Sequence, residues 1–151
     1  MLSGNDEGQA LVEVAVSVSL LMMVLTGIFA FGTAFYNKLV LTQAVGAGAQ
    51  YLQQIRTSTS DPCTDTFTAI KNAAPNLTPS KIGLTLILDG TSSSTITSTT
   101  VSASTCSTYA SKMVQAVPAT VTATYPCSLS FFGFTSSSSC TLSATVTEYV
   151  Y

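Results

Sequence analysis

The stretch GQALVEVAVSVSLLMMVLTGIFAFGTAFYN, residues 8–37, decides how this chain is built. From Val14 to Asn37 it carries no charge, and Val, Leu, Met, Ile, Phe and Ala dominate. About 20 apolar residues span the hydrocarbon core of a bilayer, so the run is long enough to cross one. One carboxylate, Glu13, stands at its mouth, alone between Glu7 and Lys38. An ionised group in hydrocarbon costs on the order of 2.5–3.5 kcal/mol on insertion scales, so a chain that keeps one there needs a reason. A cleaved secretory signal has a shorter apolar core, about 7–15 residues, behind a basic segment. Here the preceding MLSGNDEG is acidic, and no A-x-A-type site ends the run. The segment is therefore expected to remain in the mature protein as a helix.

The helical pattern continues past the membrane's edge. Leu41, Val45, Gly48, Leu52 and Ile55 recur at helical spacing, while Asn37, Lys38, Gln43, Gln50 and Gln54 supply polarity elsewhere. No proline interrupts residues 9–56, and one continuous helix there would be about 70 Å long. Its first half is apolar all round and must be buried in lipid or in a bundle of its own copies. Gly27, Ala30 and Ala34, then Ala44 and Gly48, form a stripe of small residues at which helices approach closely. The same residues are equally ordinary transmembrane composition. Phe29, Phe31, Phe35 and Tyr36 read as packing groups and interface anchors. With no proline in the run, Gly27 is the expected place for local melting.

At 151 residues the chain has room for one compact domain and little more. Only 8% of residues are charged, against about 25% in ordinary soluble domains. The net charge of −2 leaves no basic footprint, so a nucleic-acid partner is not expected. Ser and Thr fill the surface role of Lys and Glu, which suits an extracellular or assembled surface. Cys63, Cys106, Cys127 and Cys140 all follow the apolar segment. With no CxxC pair and no histidine, a zinc site is not expected. Two disulfides are the reading for an exported domain; the preferred pairing is Cys127–Cys140, closing a short loop, with Cys63–Cys106. Other pairings, or four buried thiols in a cytosolic domain, are the alternatives.

Composition shifts after Arg56. Residues 57–60 read as a linker, and Asp61-Pro62 as a helix start with Asp at the cap and Pro in the first turn. That helix is expected to reach about Ala74, with Phe67 and Ile70 on one side. Ile82, Leu84, Leu86 and Leu88 alternate with Gly83, Thr85 and Ile87 and lead into an Asp89-Gly90 turn. Val117 to Tyr125 and Leu142 to Val146 alternate in the same way. The fold class is therefore α+β: a long N-terminal apolar helix packed on a small antiparallel sheet of three or four strands, a lollipop in outline. The Ser/Thr-rich run 91–105 reads as a polar strand, a mobile hairpin or a glycosylated segment. Asn76-Leu77-Thr78 is a sequon. Phe131, Phe132 and Phe134, between Cys127 and Cys140, are either tucked under the sheet or offered to a neighbour as an interface.

These residues offer little from which to build an enzyme. Without histidine there is no Ser-His-Asp or Cys-His arrangement. Asp61, Asp65, Asp89 and Glu148 are scattered or sit where caps and turns explain them, and two carboxylates at one helix turn are too few for calcium. Nothing nearby supports Ser111-Lys112 as a dyad, and no P-loop or dinucleotide fingerprint is present. No catalytic residue, metal or cofactor is expected.

Gly8, Gln9-Ala10-Leu11-Val12, Glu13 and then the apolar helix resemble a prepilin-type (class III) signal. With LTGIFAFG and the NKLVLTQA continuation, residues 8–56 resemble the TadE-like pseudopilins of tight-adherence pili. The resemblance implies a membrane peptidase that cuts between Gly8 and Gln9, removing a leader of residues 1–8. It implies that the helix, residues 9–56, stays as the membrane segment and later the filament core, with residues 57–151 as an extracellular head. It gives Glu13 a job, pairing with the free amine of a neighbour's first residue to set register; snorkelling or neutralisation at the interface is the plainer alternative. Copies of the chain, the membrane, the peptidase and the pilus assembly machinery are the implied partners. The implied path runs from the inner membrane to an extracellular filament, as a major or a minor subunit. The competing reading is a single-pass anchored surface module whose β domain binds a ligand or partner. Three features depart from the family pattern: the leader has no basic residue, Ser19 stands near where a proline is common, and Gln9 replaces an aromatic and can cyclise.

Overall fold

The unbroken apolar run carries one helix, α1 (Asp6–Gln54), in the computed structural model of the chain, which describes residues 6–55, 61–88, 95–98, 116–127, 130–131, 134–135 and 140–149. Its 49 residues make a rod of about 74 Å. The expected melting at Gly27 does not occur. A glycine inside a helix costs only about 1 kcal/mol relative to alanine, too little by itself to open a helix this long.

α2 (Pro62–Ala73) starts where the sequence signals it. Asp61 accepts hydrogen bonds from the Thr64 backbone N–H at 3.1 Å and the Thr64 hydroxyl at 2.6 Å, and Pro62 occupies the first turn, where it forfeits no helical bond. A 3-10 turn (Pro79–Lys81) then leads into β1 (Gly83–Ile87). The remaining strands are β2 (Thr95–Ser98), β3 (Pro118–Pro126), β4 (Ser130–Phe131), β5 (Phe134–Thr135) and β6 (Thr141–Tyr149).

β2, β1, β3 and β6 form one antiparallel sheet in that order, and β4 pairs with β5 as a separate hairpin. The polar run 91–105 thus contributes a strand at 95–98, while the Asp89-Gly90 turn and the rest of that run lie outside the described residues. Register puts Leu84, Ala123 and Ala144 in one row and Leu86, Val121 and Val146 in the next. Both rows face α1, which packs on β3 and β6, with α2 beside it. Leu41, Ala44, Val45, Ala49 and Leu52 of α1 are buried there with Phe67 and Ile70 of α2 and Leu77, Ile82 and Leu88. At the margin, the Gln53 side-chain amide of α1 donates to a Glu148 carboxylate oxygen at 3.1 Å and to the Tyr149 carbonyl at 3.2 Å.

The other face of the sheet explains the composition. Thr85, Thr122 and Thr145 fall in one row across β1, β3 and β6. Hydroxyls bridge Thr122 to Thr145 at 3.0 Å and Thr120 to Thr147 at 2.9 Å. Threonine suits a pleated surface and pairs well across strands, so this face is polar without charge.

Small residues on the upper half of α1 serve the head itself. Ala44 is fully buried, and a Cβ placed on Gly48 would overlap the Ile70 side chain of α2. The sequence pattern offers both to a neighbouring copy; in the fold Ala44 belongs to the core and Gly48 lets α2 approach α1 within one chain. Gly48→Ala is expected to destabilise the head by about 1–3 kcal/mol, the usual penalty of overpacking, read as a lowered urea midpoint of the full chain in detergent.

Cys127 and Cys140 form a disulfide that ties the end of β3 to the start of β6, and the Cys127 N–H donates to the Cys140 carbonyl at 3.0 Å. Cys63 is buried in the core, while Cys106, its expected partner, lies outside the described residues. Changing both Cys127 and Cys140 to Ser is expected to lower stability by about 3 kcal/mol, the loop-closure value for a separation of this size, measured by denaturant unfolding.

Candidate functional site

Every residue from Gly8 to Thr26 is exposed. Leu11, Leu20 and Ile28 each leave more than half of their surface uncovered, Phe29 is 75% exposed and Phe31 72%. Monomeric soluble proteins rarely show an apolar patch of more than a few hundred Å², and here one covers a helix on all sides. By length and composition this helix can cross a membrane.

Three hydroxyls within the run fit such surroundings. The Ser19 hydroxyl donates to the Val16 carbonyl at 2.8 Å, Thr33 to Ala30 at 2.9 Å, and Thr26 to Met22 and Met23 at 2.9 and 3.0 Å. A hydroxyl bonded back to its own helix needs no water. Glu13 differs in carrying charge, exposed on the helix surface with no hydrogen bond or ion pair to any described residue.

The Gly8–Gln9 peptide lies in the first turns of α1, and nothing approaches Gly8. The first four N–H groups of a helix lack intrahelical acceptors, so this end is the easiest part of the rod to unwind. Further along, Gly27 and Gly32 with Ile28, Phe31 and Phe35 shape a shallow apolar groove on the bare helix. The small-residue stripe read from the sequence omits Gly32, although the five-residue step from Gly27 is plain once the helix is drawn. Ala30 and Ala34 are half-covered, and Ala34 already faces the foot of the head, beside Cys127.

The sequence model of a family described as TadE-like protein matches residues 8–50. Residues 8–50 are a TadE-like segment. The TadE-like family is pilus-associated and carries an N-terminal apolar helix. No curated protein and no solved structure matches the chain. The TadE-like match takes in Gly8, Gln9, Glu13 and all five small residues, and ends before α1 does; α2 and the sheet follow outside it.

Below the head, contacts join segments that are distant in the chain. The Asn76 amide donates to the Tyr36 hydroxyl at 2.8 Å, and the Tyr125 hydroxyl accepts from the Thr78 N–H at 3.5 Å. The sequon asparagine is thereby held against the TadE-like helix. No sequence signal could have made these pairs, because Tyr36 and Tyr125 lie 40 and 47 residues from their partners in the 74–78 connection. Of the phenylalanine cluster, Phe131 of β4 is the cross-strand partner of Phe134 of β5, β4 runs close to α1, and Phe132 lies outside the described residues.

Proposed function

We propose that the chain is a structural subunit of an extracellular pilus-like filament, assembled through the bare half of α1. One observation carries this reading: a helix apolar on every side, with the Glu13 carboxylate unpaired among the described residues, rises into a head that buries only its other end. In the membrane, lipid covers that surface; in the filament, copies of the same helix do. A contact between different patches on successive copies does not close on itself and propagates as a helix. A prepilin-type peptidase cuts between Gly8 and Gln9, leaving residues 9–56 as the filament helix and 57–151 as the outer head. The new N-terminal amine of one subunit meets Glu13 of the next, since either charge alone in an apolar core is costly. The threonine face and the disulfide suit the outside of the cell. The role is structural rather than catalytic.

The test is the intact mass and N-terminal sequence of the native protein sheared mechanically from cells. A chain beginning at Gln9, or its cyclised form, in a lipid-free filament fraction supports processing and export together. A chain beginning at Met1 and confined to membranes would replace the filament with an anchored surface module.

A further inference from the structure

A cavity of about 280 Å³ lies at the foot of the head, where the sheet's lower end meets the helix. Thr33, Ala34 and Asn37 of α1 form one wall, Lys81 of the 3-10 turn another, and Tyr125 and Cys127 at the end of β3 a third. The disulfide to Cys140 pins that last wall. The donor inventory is one-sided. Lys81 brings three N–H groups and Asn37 two; the Tyr125 hydroxyl, which accepts from Thr78, keeps its own hydrogen to donate. The Thr33 hydroxyl already donates to Ala30, so it serves as wall rather than donor. Among the described residues, no carboxylate lines the cavity.

The height of the cavity along the rod matters as much as its lining. From Glu13 to Lys38 the helix rises about 37 Å, between the roughly 30 Å hydrocarbon core and the 40–45 Å that includes headgroups. With Glu13 at one surface, Thr33, Asn37 and Lys38 emerge in the headgroup layer opposite. Lys81 arrives at that level from the head, placing two of the chain's five basic residues in one narrow band. Tyr36 and Phe35 beside them suit the same layer.

We infer that this cavity seats the phosphate of a membrane lipid headgroup while the subunit waits in the bilayer. Lys81, Asn37 and Tyr125 donate to the phosphate oxygens, and the lipid leaves when the subunit enters the filament. The inference rests on the membrane reading of α1 given above. It adds a ligand that fixes the depth and rotation of the head on the membrane before assembly.

The full-length chain in nanodiscs of phosphatidylcholine mixed with phosphatidylglycerol tests it, with lipid retained on release counted by native mass spectrometry. The wild type is expected to retain phosphatidylglycerol. Lys81→Gln is expected to reduce retention about fivefold, the factor for one lysine near an anionic surface. Tyr125→Phe, which changes no charge, should also reduce it. A loss with Lys81→Gln alone would overturn the seat in favour of diffuse attraction, and equal retention by all three chains would overturn it outright. An inorganic phosphate adduct in neutral detergent, with no phosphatidylglycerol retained from nanodiscs, would overturn the lipid in favour of a free anion. Hydrogen exchange of amides 14–33 in the same nanodiscs keeps the two readings apart. Protected amides without retained lipid overturn the seat alone, whereas rapid exchange overturns the membrane placement and the seat with it.

Discussion

A chain beginning at residue 37 is expected to fold as a water-soluble head, and one beginning at residue 57 is expected not to fold. The first removes the exposed part of α1 together with the lesser contacts of Ala34 and Tyr36 at the foot of the head. The second also removes Leu41, Ala44, Val45, Ala49, Leu52 and Ile55, all buried against α2 and the sheet. Fully burying a large aliphatic side chain contributes about 1.5–3 kcal/mol. Losing Leu41, Val45, Leu52 and Ile55 together forfeits about 6–12 kcal/mol, comparable to the whole stability of a typical domain, about 5–15 kcal/mol. Urea titration followed by circular dichroism distinguishes the outcomes: a cooperative transition for the longer chain and a featureless drift for the shorter. If the chain from residue 57 unfolds cooperatively at the same midpoint, α1 is not part of the head's core.

Glu13→Ala is expected to leave the subunit folded and membrane-inserted while removing it from the sheared filament fraction. Breaking a buried ion pair by deleting one partner typically costs about 3–5 kcal/mol, because the remaining charge stays buried alone. At each subunit contact that exceeds a hundredfold in the equilibrium. Head stability should not change, since Glu13 has no interaction with any described residue. Glu13→Gln sharpens the result: it keeps the shape and hydrogen-bonding capacity but not the charge. If it assembles as wild type while Glu13→Ala does not, a hydrogen bond rather than an ion pair sets register. If Glu13→Ala itself yields normal filaments, Glu13 has no part in assembly.

The fold was largely legible because burial leaves a periodic trace. Leu41, Val45, Leu52 and Ile55 mark the covered face of α1 at helical spacing, and all four are buried. Leu84 and Leu86, then Ala119, Val121 and Ala123, mark the covered face of two strands at period two. The N-cap at Asp61 was readable from a dipeptide. β2 was harder, because in Thr95–Ser98 only Ile96 is apolar and its neighbours look like loop. Ala44 and Gly48 show a different limit. A stripe of small residues announces a close approach without naming the partner, and α2 of the same chain took the place expected of a copy. The Gly8–Gln9 junction and Glu13 stand out by short-range pattern and resemblance alone. The cavity at the foot of the head does not, because it is assembled from α1, a 3-10 turn and β3, and no linear pattern links Asn37, Lys81 and Tyr125.

The absence of any break in α1 has a mechanical side. A head joined to its anchor by a flexible linker would feel tension only after the linker had straightened. Here the bare helix and the spine of the head are the same rod, so a pull on the N-terminal end arrives undamped along the seam from Leu41 to Ile55. That seam carries the load in shear, with many side-chain contacts strained together rather than peeled one by one. Mechanical strength in a strand of such subunits would therefore depend on how well the α1 seam fits α2, β3 and β6, and Gly48 sits in its middle.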